Sequence, residues 1–527
     1  MKIIFCIFII FLNSLCFSQF AGGNGTLEDP YQIATAEHLN NIRYNLTSHY
    51  IQTADIDLGV APWNEGEGWE PIGDYYWTNP SISFSGTYNG DNYQIKNMMI
   101  KRPEKSYVGL FGASLNSIFQ NIHLKDINII GSSETGGLVG LQNSDNVSEL
   151  IKNCSVTGYV EAKAYVGMLF GETVYAEIVD CYSIGEMAIT HDGTNIAGGL
   201  VGSFQCGSIL NSYSIVTISS QGNIVGGLIG QAVFLEYIRD CYSIVNIKNA
   251  LNTTGGLFGS VSASSISNTI IENCFVKGEI NSLDYRIGGI FGYSAGFNYD
   301  EITYPIQYKN CFTDVVMNGV THTGGFGGIT YNYISIVNCY SKGIVTGSSN
   351  VGGFIGYMDS PETTNISNCY WDMDASGLLT SDGGEGRTTD EMTYPYATNT
   401  YDNWDFTDIW REDTKNINGG YPYLIWTETG IEWDEDIVLA KGFELYQNYP
   451  NPFNPSTQIK FAIAKTAVVK LSVYNINGQL VSELAKGVKN AGCHIVDFDG
   501  RDLNSGVYYY TLSVDGKNIT KKMIILK

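Results

Sequence analysis

A glycine block that recurs nine times between Val108 and Gly356 constrains this 527-residue chain more than any other feature. It reads Val108-Gly109-Leu110-Phe111-Gly112 at first, Gly136-Gly137-Leu138-Val139-Gly140 next, and Gly352-Gly353-Phe354-Ile355-Gly356 at the last copy. The closing glycines of successive copies lie 28, 31, 31, 28, 29, 33, 36 and 28 residues apart. A second block of the form Asn-Cys-Tyr-Ser follows most copies, as in Asp180-Cys181-Tyr182-Ser183, Asn211-Ser212-Tyr213-Ser214 and Asn338-Cys339-Tyr340-Ser341. A period near thirty without helical patterning predicts stacked β coils, each burying its apolar face on the next. Glycine allows positive φ at corners and lets one coil's backbone approach its neighbour. The Leu, Ile, Val and Phe residues between the glycines point inward, while corner asparagines bond their counterparts above and below. The expected fold is all-β, a right-handed parallel β-helix (solenoid).

Seven cysteines occupy the second slot of the Asn-Cys block, one per coil, and Ser212 fills the slot that lacks one. Regular cysteines in an exported chain invite a disulfide framework. A nearly isosteric serine in the series, and an odd count of nine cysteines beyond residue 18, point instead to a buried Cys/Ser ladder. The chain carries 29 basic and 53 acidic residues, and residues 19–442 alone hold 18 and 47. So acidic a surface repels phosphate backbones and excludes nucleic acid as a partner.

Both ends read as export signals. Met1-Lys2 precedes an apolar run over residues 3–15, and Cys16-Phe17-Ser18 closes it before Gln19. A basic start, a core too short to span a bilayer and a small exit residue make residues 1–18 a secretory signal peptide, cut between Ser18 and Gln19. Cys16 would suggest lipidation, but bulky Leu15 precedes it. No later stretch is apolar enough for a transmembrane span. At the other end, Tyr449-Pro450-Asn451-Pro452-Phe453-Asn454-Pro455-Ser456-Thr457 forbids a helix. The alternating runs that follow, with a turn at Asn477-Gly478, predict a small Ig-like antiparallel β-sandwich.

The Pro450-Asn451-Pro452-Phe453-Asn454-Pro455 run and the strands after it resemble the C-terminal sorting domain of the type IX secretion system. The resemblance implies a partner, the type IX machinery, and a location, secreted or on the outer surface of a Gram-negative bacterium. Residues 20–426 resemble the GLUG repeat family. The glycine blocks carry that likeness, with the opening strands around Ala54-Asp55-Ile56-Asp57-Leu58 and the closing signatures Tyr370-Trp371-Asp372 and Gly419-Gly420-Tyr421-Pro422-Tyr423-Leu424. It implies an array covered at both ends. Leu39 and Ile42 give residues 34–44 the pattern of a short N-terminal capping helix. The expected divisions are a cap with opening coils over 19–107, the repeat array over 108–369 and a closing segment over 370–426. An acidic linker over 427–442, with Glu432, Asp434, Glu435 and Asp436, leads to the sorting domain over 443–527.

Little in the sequence points to catalysis. Gly292-Tyr293-Ser294-Ala295-Gly296 fits a nucleophile-elbow pattern, but its first glycine closes a repeat block rather than turning from strand to helix. Some GLUG repeats accompany immunoglobulin A peptidases, whose zinc motif needs His-Glu-x-x-His; none of the six histidines is followed by Glu. Asp372, Asp374 and Ser376 alternate like the start of a calcium loop, but Gly383 replaces the bidentate Glu of an EF-hand. A looser calcium site there stays open, and no other cofactor is implied. Asp55 and Asp57 share a strand face and read as corner-bonding carboxylates. Tyr182, Tyr213, Tyr242, Tyr340 and Tyr370 are expected to stack in core ladders or to cover the ends. Tyr299, Tyr304, Tyr331 and Tyr333, in the inserts after Gly292 and Gly328, are the candidates for ligand binding, because solenoid inserts map to one face. The function expected is adhesin-like, not enzymatic: binding of a glycan, matrix or cell-surface ligand. The alternative is a β-helix polysaccharide lyase or glycoside hydrolase.

Overall fold

The computed structural model describes residues 19–526, apart from 77–78, 80–81, 146–148, 191–194, 264–267, 301, 429–442, 446, 449, 464–466, 490–491, 502 and 515. The expected signal peptide, and all but the first two residues of the expected linker, lie outside the described residues. The repeats form a parallel β-solenoid of about nine turns. One coil shows the pattern. Strand Ile196–Gly198 enters, the glycine block bends the chain, and Val201–Leu210 crosses a second sheet. Asn211-Ser212 makes a corner, Tyr213–Ser220 runs through a third sheet, and Ile224–Gly226 begins the next coil. Each strand pairs in parallel with its counterparts one coil before and after, with matching residues in register.

That register makes ladders. Ile151, Ile178, Ile209, Ile238 and Ile271 stand in line along one inner wall, each fully buried. The glycine blocks form another line, but they do not use positive φ, contrary to the sequence expectation. A Cβ on Gly199 would run into the carbonyl of Gly227, and one on Gly227 into that of Gly256. Close approach between coils is what excludes side chains there. The left-handed corners belong to asparagine and aspartate instead: Asn153, Asp180, Asn211, Asp240, Asn273, Asn310, Asn338 and Asn368 all have φ between 49 and 56. Their short polar side chains tolerate that conformation and bond along the stack. Asn153 Nδ2 donates to Asn121 Oδ1 at 2.8 Å, and Asn310 Nδ2 to Asn273 Oδ1 at 3.2 Å.

The rest of the Asn-Cys-Tyr-Ser block follows by alternation. Cysteine points inward: the seven slot thiols are buried, and every described cysteine is free. In-register parallel stacking sets equivalent Cβ atoms about 4.8 Å apart, wider than a disulfide prefers. Ser212 does what a slot cysteine does. The Cys181 amide donates to Ser212 Oγ at 3.0 Å, as the Cys154 amide does to Cys181 Sγ at 3.4 Å. The block serine also points in, and Ser183 and Ser341 donate to the carbonyls of Gly199 and Gly353 at 2.8 and 2.7 Å. Tyrosine between them faces out.

The tyrosine ladder is therefore not in the core, one of the two places the sequence pattern led us to expect it. Tyr182, Tyr213, Tyr242, Phe275, Phe312 and Tyr340 stack on the outside of the third sheet, with successive ring centroids 4.6–5.1 Å apart. A separate apolar cluster forms around them, supplied from above by Met392, Tyr401, Trp404, Trp410, Tyr421 and Leu424. The closing segment doubles back along the flank. Trp404 Nε1 donates to the carbonyl of Asn368, Tyr340 donates to that of Pro422, and Trp426 Nε1 reaches the carbonyl of Asn273 at 3.2 Å.

At the N-terminal side, the helix Ala36–Asn41 starts at Thr35, whose hydroxyl accepts the His38 amide, and buries Leu39; Ile42 follows it into the core. The C-terminal region has its own apolar core between two antiparallel sheets, one of three strands and one of four. Gly478, at φ 75, turns the chain between Ala467–Asn475 and Leu480–Lys489, as the Asn-Gly pair predicts.

Candidate functional site

The insert after Gly292 is a two-stranded hairpin, Phe297–Tyr299 paired with Ile302–Tyr304. It leaves the solenoid undisturbed. Ala295 before it pairs with Tyr331, and Ile306 after it pairs with Ile334, both in register with the next coil. The hairpin exposes Phe297, Tyr299 (62 % of its surface) and Ile302, and Tyr331 of the next coil is exposed beside them. The other two candidates serve as footing. Tyr304 packs partly buried against the core, and Tyr333 accepts a hydrogen bond from Asn298 Nδ2 at 3.1 Å. Alternation along Phe291–Ala295 also turns Tyr293 outward on this face, half-buried, a residue of the same insert that was not among the named candidates.

The remaining candidates have structural occupations. Asp372 is fully buried: one carboxylate oxygen accepts the Ala375 amide at 2.8 Å, and the other accepts the Thr389 and Tyr421 hydroxyls. Asp374 accepts the Thr389 amide at 2.9 Å, and Ser376 Oγ accepts the Leu378 amide at 3.3 Å. Residues 372–377 thus form a capped helical turn, Met373–Ser376, closed by Gly377 at φ 72. Among the described residues no group of three His, Cys, Asp or Glu side chains could hold a metal ion. Asp55 ties to the Gln94 amide and Lys96, and Asp57 to Asn97 and the Gly59 amide; these hydrogen bonds hold both carboxyls below the ordinary carboxylate range. Ser294 faces into the tube and accepts the Tyr308 hydroxyl at 2.8 Å, with no histidine among its partners.

One pair of carboxyls escaped the sequence reading. Glu134 and Glu172, 38 residues apart in the chain, come close enough to raise each other's neighbours electrostatically. Burial holds both above the usual carboxylate range, with the Glu172 charge adding to the effect on Glu134. Gln205 Nε2 donates to Glu172 at 2.8 Å, and Tyr107 and Tyr165 stand beside the pair. Adjacent coils bring together residues that no local motif joins.

In the C-terminal region the proline-rich run acts as a clasp. Phe453 is buried, and its amide and carbonyl bond Ile524 and Leu526, adding a rung beside the last strand, Lys517–Ile525. Asn451 Oδ1 accepts the Ile524 amide at 2.9 Å, and the Pro455 carbonyl accepts the Gly500 amide. Pro450, Pro452, Asn454 and Pro455 are exposed.

Residues 447–526 match the family model of the secretion system C-terminal sorting domain. Such a tail implies handling by the type IX secretion system and a secreted or cell-surface location. No helix among the described residues is long and apolar enough to cross a membrane. Elsewhere the similarities are partial. The chain is 34 % identical over 158 residues to Halomucin of Haloquadratum walsbyi, covering 29 % of this chain and 2 % of that protein. It is 38 % identical over 159 residues to a protein of Evansella cellulosilytica named as a Gly-rich membrane protein, covering 29 % of this chain and 18 % of the other. Over 243 residues it is 28 % identical to the immunoglobulin A1 protease of Streptococcus sanguinis, covering 45 % of this chain and 11 % of the protease. The chain thus spans only a small part of each relative.

Proposed function

We propose that this is a secreted or cell-surface adhesin-like protein that uses its solenoid to present a binding surface to a glycan, matrix or cell-surface ligand. The hairpin carries this reading. It adds nothing to the coil register, yet it holds Phe297, Tyr299 and Ile302 in water on the flank of a rigid solenoid. Flat amphipathic side chains on a stiff scaffold suit recognition at low entropic cost. The export tail is consistent with it. Within the same reading the solenoid is a right-handed GLUG-type array, Ala36–Asn41 is its cap, the tail is Ig-like, and the signal is cut after residue 18.

A second reading rests on Glu134 and Glu172. Acid–base hydrolysis of a polysaccharide uses two carboxyls, one kept protonated as the acid and one ionised, and burial raises both members of this pair. One experiment separates the two. The exported chain, with residues 297–304 replaced by a short Gly-Ser turn, is compared with the parent on a glycan and matrix-protein panel, with reducing-sugar release followed in parallel. The adhesin reading expects at least about a tenfold loss of binding, little change in melting temperature and no release. Time-dependent release, abolished by E134Q or E172Q, would establish the enzyme instead.

A further inference from the structure

The coil that bears the hairpin also holds an arginine whose charge the protein leaves unanswered. Arg286 lies in strand Tyr285–Gly288 with its backbone left-handed at φ 67. Its guanidinium carbon sits 4.9 Å from the ring centroid of Tyr285 and 5.2 Å from that of Tyr293. The other arginines of the solenoid and its closing segment each have an oxygen partner. Arg43 donates to the carbonyls of Pro71 and Glu70; Arg102 meets Glu67 and Glu70, Arg239 meets Asp240, Arg387 meets Glu385 and Arg411 meets Glu428. Arg286 has none among the described residues, and its Nε is enclosed without a partner. Carboxylates are not scarce: residues 19–442 hold 47 acidic side chains to 18 basic ones. Asp359 and Asp382 lie near enough to act on Tyr293 and His322, but neither forms an ion pair with Arg286 among the described residues.

The surroundings extend the opening. His322 stands opposite Arg286 on the next coil, between the register pairs Tyr285–Thr321 and Ile287–Thr323. Its ring packs 5.1 Å from that of Tyr357, and its Nδ1 is buried without a partner. Tyr293 pairs with Ile329 and Ala295 with Tyr331, two residues further along each strand, so the strip runs on to the foot of the hairpin. An arginine stacked between aromatic faces has lost its rotamer freedom in advance, and its planar fork matches a carboxylate with two parallel hydrogen bonds. The flanking tyrosines offer apolar faces to a sugar ring.

We propose that Arg286, clamped between Tyr285 and Tyr293, is the anion subsite of the hairpin surface and takes the carboxylate of a uronic-acid-bearing saccharide. This rests on the reading of that surface as glycan-binding. The exported chain is titrated with a panel of uronic-acid oligosaccharides and their carboxyl-reduced counterparts, using the parent, R286Q, R286K and Y299A, each matched to the parent in circular dichroism and melting temperature. Acidic members should bind roughly 10–100-fold more tightly than their reduced forms, R286Q should erase that preference, and R286K should restore only part of it. Y299A should weaken both forms alike. Equal affinity for acidic and reduced members, or a preference that survives R286Q, would overturn the carboxylate assignment and leave glycan binding standing. Failure to bind any saccharide in either form would remove the glycan reading, and the assignment with it.

Discussion

The corner asparagines show how one side chain per coil fixes the stacking of all the others. Each amide has both a donor and an acceptor, so a run of asparagines bonds without interruption, as Asn89, Asn121 and Asn153 do. An aspartate can only accept. Asp240 receives Asn273 Nδ2 at 3.0 Å but has nothing to give Asn211 on the coil before. D240N should therefore stabilise the protein by about 1 kcal/mol in chemical denaturation, since the ion pair with exposed Arg239 it gives up is worth little. The pH dependence follows. Burial chiefly raises the Asp240 carboxyl above its unfolded value, so its contribution is most favourable below the unfolded pKa and is lost as pH rises through the folded one. D240N should flatten that part of the stability profile; an unchanged slope and midpoint would mean the missing donor has no cost. These slots were legible in the sequence because they repeat, Asn at the corner and Cys or Ser inside. The direction of the tyrosine was legible too, in principle: a residue between an inward Cys and an inward Ser can only face out. Its aromatic character suggested a core or an end cover instead.

The closing segment is the element the sequence described least well. Its boundaries near Tyr370 and Trp426 could be read from signature residues, but the expectation was a lid on the last coil. Outward-facing Tyr242, Phe275, Phe312 and Tyr340 require a cover along the side, and only their shared register reveals that requirement. The cover itself has no period, so its path depends on contacts such as Asn418 Nδ2 to the Tyr340 hydroxyl at 2.8 Å and Lys342 Nζ 4.3 Å from the Tyr421 ring centroid. Fully buried Trp410 lies 6.0 Å from Tyr340 and 6.3 Å from Phe312, ring to ring. W410A should cost about 3–5 kcal/mol and increase binding of a hydrophobic dye by uncovering the flank. A denaturation midpoint equal to the parent's would mean the segment merely rests on the ladder. The hairpin, by contrast, was placed correctly as an insert, because it breaks an otherwise regular spacing. Glu134 and Glu172 were invisible for the opposite reason: they meet across coils, and no single stretch of chain contains them.

On the scale of the whole molecule the chain is an acidic rod followed by a mildly basic tail, and this division was plain from residue order and charge alone. Residues 443–527 hold 10 basic and 6 acidic side chains, against the large acidic excess before them. Deleting the tail should strand the chain in the periplasm, as judged by fractionation and surface proteolysis, and normal surface levels of the truncated protein would refute the sorting role. The buried Phe453 clasp suggests why the whole tail matters: the proline-rich run is held in shape by the last strand, so removing either end of it undoes both. The doubled-back segment has a mechanical consequence as well. The chain leaves the solenoid beside Asn273, well before the last coil, where Trp426 is fastened. Tension drawn through residue 428 would meet that indole first and would have to strip the flank rung by rung before any coil bore load. The flank then serves as a sacrificial zipper, and the rod behind it keeps its shape while the zipper yields.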